Sequence, residues 1–230
     1  VLVAVVVLHE VRAEDVAQSV AWVQRYEVTG NSLLSAAEVE LALGELPGRM
    51  GLADMQAASS RLQEAFRAAG YGAVIVLLPE QALDGGVLQL QVVEGRLRQL
   101  SVTGERAFSR DNVMRSLPSL ALGTTPSLFD LDRELLMVND NPAKNARVVL
   151  QPGRSPGDVE ALVVIEERPV QRWVLGLDNS GTPGTGRYRT SVLYQNANFS
   201  DRDVVLGLRG VTSPTEPSQV AVLGSTLRVP

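Results

Sequence analysis

Glu166 and Glu167 stand side by side, with Glu94 at a matching place 72 residues before Glu166, and they are the natural first candidates for an acid–base pair. Neighbouring residues of a strand point to opposite faces, so Glu166 and Glu167 cannot converge on one substrate atom. Asn139-Asp140-Asn141 offers oxygen ligands for a cation, but it sits just before Pro142, where a turn ending a helix accounts for it. Gly181-Thr182-Pro183-Gly184-Thr185-Gly186 is glycine-rich, yet it lacks the Lys-Ser/Thr and the following helix of a phosphate loop and reads as a turn. Asn198-Phe199-Ser200 fits a glycosylation acceptor and nothing more. The chain has no cysteine and a single histidine, His9, so thiolate chemistry, a disulfide framework, a histidine triad and a multi-histidine metal site are all excluded. A net charge of −5 leaves no basic stripe for nucleic acid. No catalytic constellation, cofactor or nucleotide site emerges, and the chain is read as a non-enzyme.

If chemistry is absent, function must lie in surfaces, and the elements decide which surfaces exist. With 45% hydrophobic and 20% charged residues, the 230-residue chain is a folded protein of one large or two to three small domains. Val1 to Leu8 is continuously apolar, too short to span a bilayer as a helix, and is followed by Val11-Arg12-Ala13; it reads as the tail of a secretory signal over 1–13, with a linker at 14–21. A strand or interfacial helix is the alternative.

Beyond it one unit occurs twice. Val28-Thr29-Gly30 returns 74 residues later as Val102-Thr103-Gly104, Leu34-Ser35 as Phe108-Ser109, and Val39 as Val113. Further on, Leu77-Leu78-Pro79 answers Leu150-Gln151-Pro152, and Val92-Val93-Glu94 answers Val164-Ile165-Glu166. Each copy reads β-α-α-β-β. In the first, a strand from Trp22 to Val28 turns at Gly30-Asn31. Ser35 and Glu38 then form a capping box, with Leu34 and Val39 as a hydrophobic staple. In the second copy Phe108 and Val113 keep the staple, but Asn112 stands where the capping Glu should be. A second helix with Leu52, Met55, Ser59, Leu62, Phe66 and Ala69 on its buried face precedes strands at Gly72–Leu78 and Val87–Val93. The second copy predicts helices near Ser109–Leu117 and Leu128–Val138 and strands at Ala146–Leu150 and Val159–Glu166.

After Pro169 helical periodicity stops. Trp173, Leu175 and Leu177 alternate with Arg172 and Asp178; Tyr188, Val192 and Tyr194 with Arg187, Arg189 and Gln195; Val204, Leu206 and Leu208 with Arg209. A fourth run spans Gln219 to Arg228. Such strands suit either a transmembrane barrel or an antiparallel sheet with one wet face, and the pattern alone does not choose.

The ordered set Val28-Thr29-Gly30-Asn31, Gly70-Tyr71, Gly86 to Gly95, Asn139 to Pro142, Leu150 to Gly153 and Gly176 to Gly181 resembles the transporter of bacterial two-partner secretion, the exporter family of filamentous haemagglutinins and haemolysins. The resemblance implies an α+β pair of POTRA (polypeptide-transport-associated) domains, at 22–95 and 96–168. It implies the first four or so antiparallel strands of an outer-membrane β-barrel at 169–230, in a chain read as the N-terminal part of a longer protein. On that reading Trp173, Leu175, Leu177, Tyr188, Val192, Tyr194, Val204, Leu206 and Leu208 face lipid. Arg172, Asp178, Arg187, Arg189, Gln195 and Arg209 face the lumen. Loops at 178–186 and 212–218 are external, and 196–203 is a periplasmic turn. The implied partner is a secreted protein, unfolded and presented by its N-terminal secretion domain to the periplasmic modules of a Gram-negative bacterium. Strand 72–78, expected at a sheet edge, would receive it through backbone pairing, with Tyr71, Val74, Val76 and Leu78 in contact. A barrel-assembly insertase and a soluble periplasmic scaffold are the alternative readings.

Overall fold

The structure, a computed structural model, describes residues 20–46 and 48–230; the signal reading over 1–13 lies outside the described residues. The chain divides after Gly95 into two compact units.

In the first unit the expected single strand at 22–28 is two short ones, β1 (Ala21–Val23) and β2 (Arg25–Thr29). They part at Gln24, whose N–H donates to the Gly86 carbonyl at 2.7 Å. β1 pairs with β3 (Gly48–Met50), a strand that sequence periodicity did not reveal. Helices α1 (Ala36–Leu43) and α2 (Leu52–Ala68) pack on a sheet of order β2-β5-β4, where β4 is Ile75–Leu77 and β5 is Val87–Val93. The α1 capping box is present: Ser35 N–H and Oγ donate to Glu38 at 2.8 and 2.7 Å, and these bonds hold the Glu38 carboxyl below its usual range. α2 buries Met55, Ala58, Leu62 and Phe66, while Leu52, expected on that face, lies outside.

In the second unit β6 (Arg96–Thr103), α3 (Arg110–Arg115), α4 (Leu128–Asn139), β7 (Lys144–Pro152) and β8 (Asp158–Glu167) repeat the plan, with sheet order β6-β8-β7. Two glycines show why the repeat is kept. Gly30 (φ +80°) and Gly104 (φ +90°) lie so close to the opposite strand that an added Cβ would stand 2.2 Å from the Val92 carbonyl oxygen and 2.0 Å from that of Ile165. Only glycine fits such a left-handed close approach. The same contacts correct the register read from sequence, since Val92 answers Ile165, and Glu94 answers Glu167 rather than Glu166. Glu94 gathers the Ser32 N–H at 2.5 Å; Glu167 gathers those of Arg106, Ala107 and Phe108 at 2.8, 2.8 and 3.1 Å. Both carboxylates tie down the loop ahead of the first helix.

The second unit continues into an antiparallel sheet of β9 (Gln171–Asp178), β10 (Arg189–Phe199), β11 (Val204–Thr212) and β12 (Ala221–Arg228), in that spatial order. β10 runs four residues further than expected, to Phe199, so the turn anticipated at 196–203 shrinks to Ser200–Asp203. No helix among the described residues is long and apolar enough to cross a membrane.

Candidate functional site

Among the described residues no cluster of His, Cys, Asp or Glu could hold a metal ion, and the features able to act are strand edges, a sheet face and a polar joint.

β4 is an edge strand, but not an open one. Val76 lies opposite Val92 with its N–H and C=O turned away from β5. Both are already taken by α2: Gln63 Oε1 accepts the N–H at 3.2 Å, and Ser59 Oγ donates to the carbonyl at 3.0 Å. The Val74 N–H donates to Tyr71. The four side chains expected to touch a partner also turn inward. Val74 and Val76 are buried, and Tyr71 and Leu78 pack against the same core. Strand alternation places Ile75 and Leu77 outward instead, at 48% and 44% exposure.

The second module treats its edge differently. Ala146, opposite Ile165, has its outward N–H and C=O clasped by the Asn139 side-chain amide at 2.6 and 3.1 Å. Two and four residues on, Val148 and Leu150 turn their N–H and C=O the same way, and these make no hydrogen bond among the described residues. Pro152, with no N–H, ends the run. On the opposite edge β6 is partly covered, Leu97 exchanging hydrogen bonds with Gly123 and Thr124 and the Leu100 carbonyl accepting from Arg110. Among the described residues β7 therefore carries a vacant stretch of edge two rungs long.

Asn139 to Lys144 does far more than end a helix. Asn139 clasps β7, and Asp140 pairs with Arg228 of β12 at 2.9 Å. The Asn141 amide donates to the Ala197 carbonyl at 2.8 Å and to Asp203 at 3.3 Å. Lys144 is fully enclosed. Its ammonium meets Asp203 at 2.7 Å, donates to Asn112 Oδ1 at 3.0 Å and lies 4.7 Å from the Phe108 ring centroid. Burial pulls the Lys144 ammonium below its ordinary range, opposed by the Asp203 hydrogen bond and by the charges of Asp203, Asp201 and Glu167. Asp201 accepts from Ser109 through both oxygens, the N–H bond being 3.2 Å, and its own carbonyl accepts from Asn112 and Arg115 at 3.0 and 2.8 Å. Burial works against that carboxylate, but the bonds from Ser109 and Asn198, with Arg115 nearby, outweigh it and hold Asp201 below the usual range. None of Asn112, Asn141, Lys144, Asp201 or Asp203 was found as a site from sequence, because the partners lie 32 to 92 residues apart.

In β9–β12 the register gathers the apolar alternates on one side. Trp173 faces Tyr194, which faces Leu208; Leu175 faces Val192; Asn196 faces Leu206, which faces Leu227. Trp173 and Tyr194 rings stack 4.6 Å apart between centroids. Arg172 opposite Gln195, Asp178 opposite Arg189, and Arg209 opposite Leu193 fall on the other side. Tyr188 and Arg187 precede β10, and Val204 begins β11 beside the turn. Leu175, Leu177, Leu223 and Leu227 are at least 62% exposed, so among the described residues nothing covers the apolar face.

Residues 22–95 match the family model of the POTRA domain, ShlB-type. The heme/hemopexin transporter protein HuxB of Haemophilus influenzae is 25% identical over 142 residues, 61% of this chain and 25% of that protein. The outer membrane transporter CdiB of Escherichia coli strain 536 is 29% identical over 166 residues, 71% of this chain and 28% of that protein. The chain thus spans about a quarter of the length of these relatives. Among solved structures, CdiB from Escherichia coli superposes with a TM-score of 0.75 at 20% identity, over 92% of this chain and 40% of that one. POTRA domains 1–3 of Omp85 from Anabaena give 0.56 at 21% identity, over 65% and 66%. At such identities these superpositions speak to fold alone. The chain is a relative of the CdiB and HuxB transporters, and its residues 22–95 are a POTRA domain of the ShlB type.

Proposed function

We propose that this chain belongs to an outer-membrane protein translocator, in which two periplasmic modules capture an unfolded secreted partner and a β-barrel begun by β9–β12 passes it outward. The observation that carries the reading is the uncovered apolar face of that sheet, joined in one compact unit to a water-facing α+β module. A one-sided apolar sheet of this kind is at home against lipid. Trp173, Leu175, Leu177, Tyr188, Val192, Tyr194, Val204, Leu206 and Leu208 form its lipid side; Arg172, Asp178, Arg187, Arg189, Gln195 and Arg209 line the lumen.

Capture is by strand addition, in which backbone pairing supplies affinity and tolerates many cargo sequences. The closed edge of β4 and the vacant rungs of Val148 and Leu150 move the receiving strand from the first module to β7 of the second. Leu150→Pro tests this, because the N–H it removes points away from β8 and the sheet keeps its own bonds. Binding of the partner's N-terminal secretion domain to the detergent-solubilised protein is expected to weaken at least tenfold. Undiminished binding would return capture to another surface. Solubility of the protein without detergent would instead favour a periplasmic scaffold.

A further inference from the structure

The first helix of each module needs a carboxylate at its N-terminus, and the two modules obtain it differently. In the first, Glu38 serves Ser35 from within the helix. In the second Asn112 occupies that place, and the carboxylate that serves Ser109 is Asp201, 92 residues away in the turn between β10 and β11. Asn112 is thereby released to bind Lys144 and the Asp201 carbonyl.

That turn is built at a cost. Ser200, Asp201 and Asp203 have φ of 58°, 54° and 59°, the only non-glycine residues among those described with left-handed backbone. A strained conformation of this sort persists only where its surroundings hold it. Here they are the polar contacts to Ser109, Asn112, Arg115, Ser116, Asn141 and Lys144, over a small apolar floor of Phe108, Ala143, Ala197 and Val170. A joint that is mostly polar can come apart in water without baring a broad greasy surface. The cost of burying Lys144 also offsets much of what its pair with Asp203 contributes.

We propose that Ser200–Asp203 is a detachable latch. Seated, it completes the cap of α3 and fixes the second module on β9–β12; unseated, it frees the module to reorient on Val170 and its neighbours as a hinge. Because Lys144 is both the cation of the latch and the first residue of β7, a load on β7 reaches the turn directly. The latch does not depend on what the modules capture.

The chain has no cysteine, so a single labelled pair reports its state. Spin labels at Ser155→Cys, in the β7–β8 turn, and Gly184→Cys, where a side chain meets open space, are to be measured by pulsed dipolar spectroscopy in detergent. The expected result is a distance distribution at least twice as broad in Asp201→Asn/Asp203→Asn as in the parent, with unchanged far-UV circular dichroism. Superposable distributions would overturn the latch. Should the double variant unfold, hydrogen exchange on the unsubstituted protein decides. The latch requires the amide of Ser109, which donates to Asp201 across the joint, to exchange at least tenfold faster than Val163 in the centre of β8; exchange of Ser109 at the Val163 rate would overturn it.

Discussion

Ser109 and Ser35 do the same job with different partners, and that difference is measurable. Removing a capping hydroxyl costs about 1 kcal/mol, and removing its carboxylate partner costs something similar. Ser109→Ala and Asp201→Ala should therefore be strongly non-additive in chemical denaturation, the double variant losing little more than either alone; additive losses would show that the two do not act together. At Lys144 the stakes are higher. Lys144→Met leaves Asp203 enclosed without its cation, and breaking such a pair costs about 3–5 kcal/mol; part of the lost stability should return on adding Asp203→Asn, which removes the unpaired charge and tolerates the left-handed backbone. Acid acts on the same joint. The Asp201 carboxyl lies below its ordinary range in the folded protein, so its contribution is complete above about pH 4 and disappears as pH falls through the lower folded value. Lys144 adds a cost below its lowered folded value, relieved only as pH rises through it. With Asp203, Glu167 and Arg115 the other charges facing them, the label distance should broaden below about pH 4. The Ser35–Glu38 box was legible in sequence because its partners are three residues apart. The Ser109–Asp201 bond was not, for no local rule joins residues 109 and 201.

At the scale of elements, the duplicated β-α-α-β-β plan was readable because capping, staple and alternation all repeat at nearly one spacing. Two things escaped. The break at Gln24 that sets β1 apart from β2 was not read, nor was β3, which at three residues is too short to show a period and pairs with β1. The closing of β4 escaped as well, since Ser59 and Gln63 read as ordinary helix residues until the strand is seen to pass beside them. The closure explains how an edge in the first module avoids unwanted pairing, and it can be undone. Ser59→Ala/Gln63→Ala leaves the Val76 N–H and C=O without partners and available to an extended segment. Binding of the secretion domain should then gain a second site on the first module, so that Leu150→Pro no longer weakens it tenfold. An unaltered response to Leu150→Pro would mean that β4 is closed by more than these two side chains.

For the whole molecule the decisive property is the difference between the two faces of β9–β12. Alternation gave the faces in sequence, but it could not say whether water or lipid meets the apolar one, since both solvents favour the same pattern. The register sharpens the question, because Leu175 and Val192 lie in the middle of that face with no described residue packed over them, whereas Thr226, opposite Gly207, points to the other side. A lysine on the lipid side of a barrel near the bilayer centre costs about 2–4 kcal/mol, and on the lumen side little. Leu175→Lys is therefore expected to cut recovery of protease-resistant protein from the outer-membrane fraction at least tenfold, while Thr226→Lys leaves it within a factor of two. In water the two substitutions would behave alike, each placing a charge on a solvated surface, so equal recoveries would remove the barrel from the proposal while leaving the modules and their latch in place.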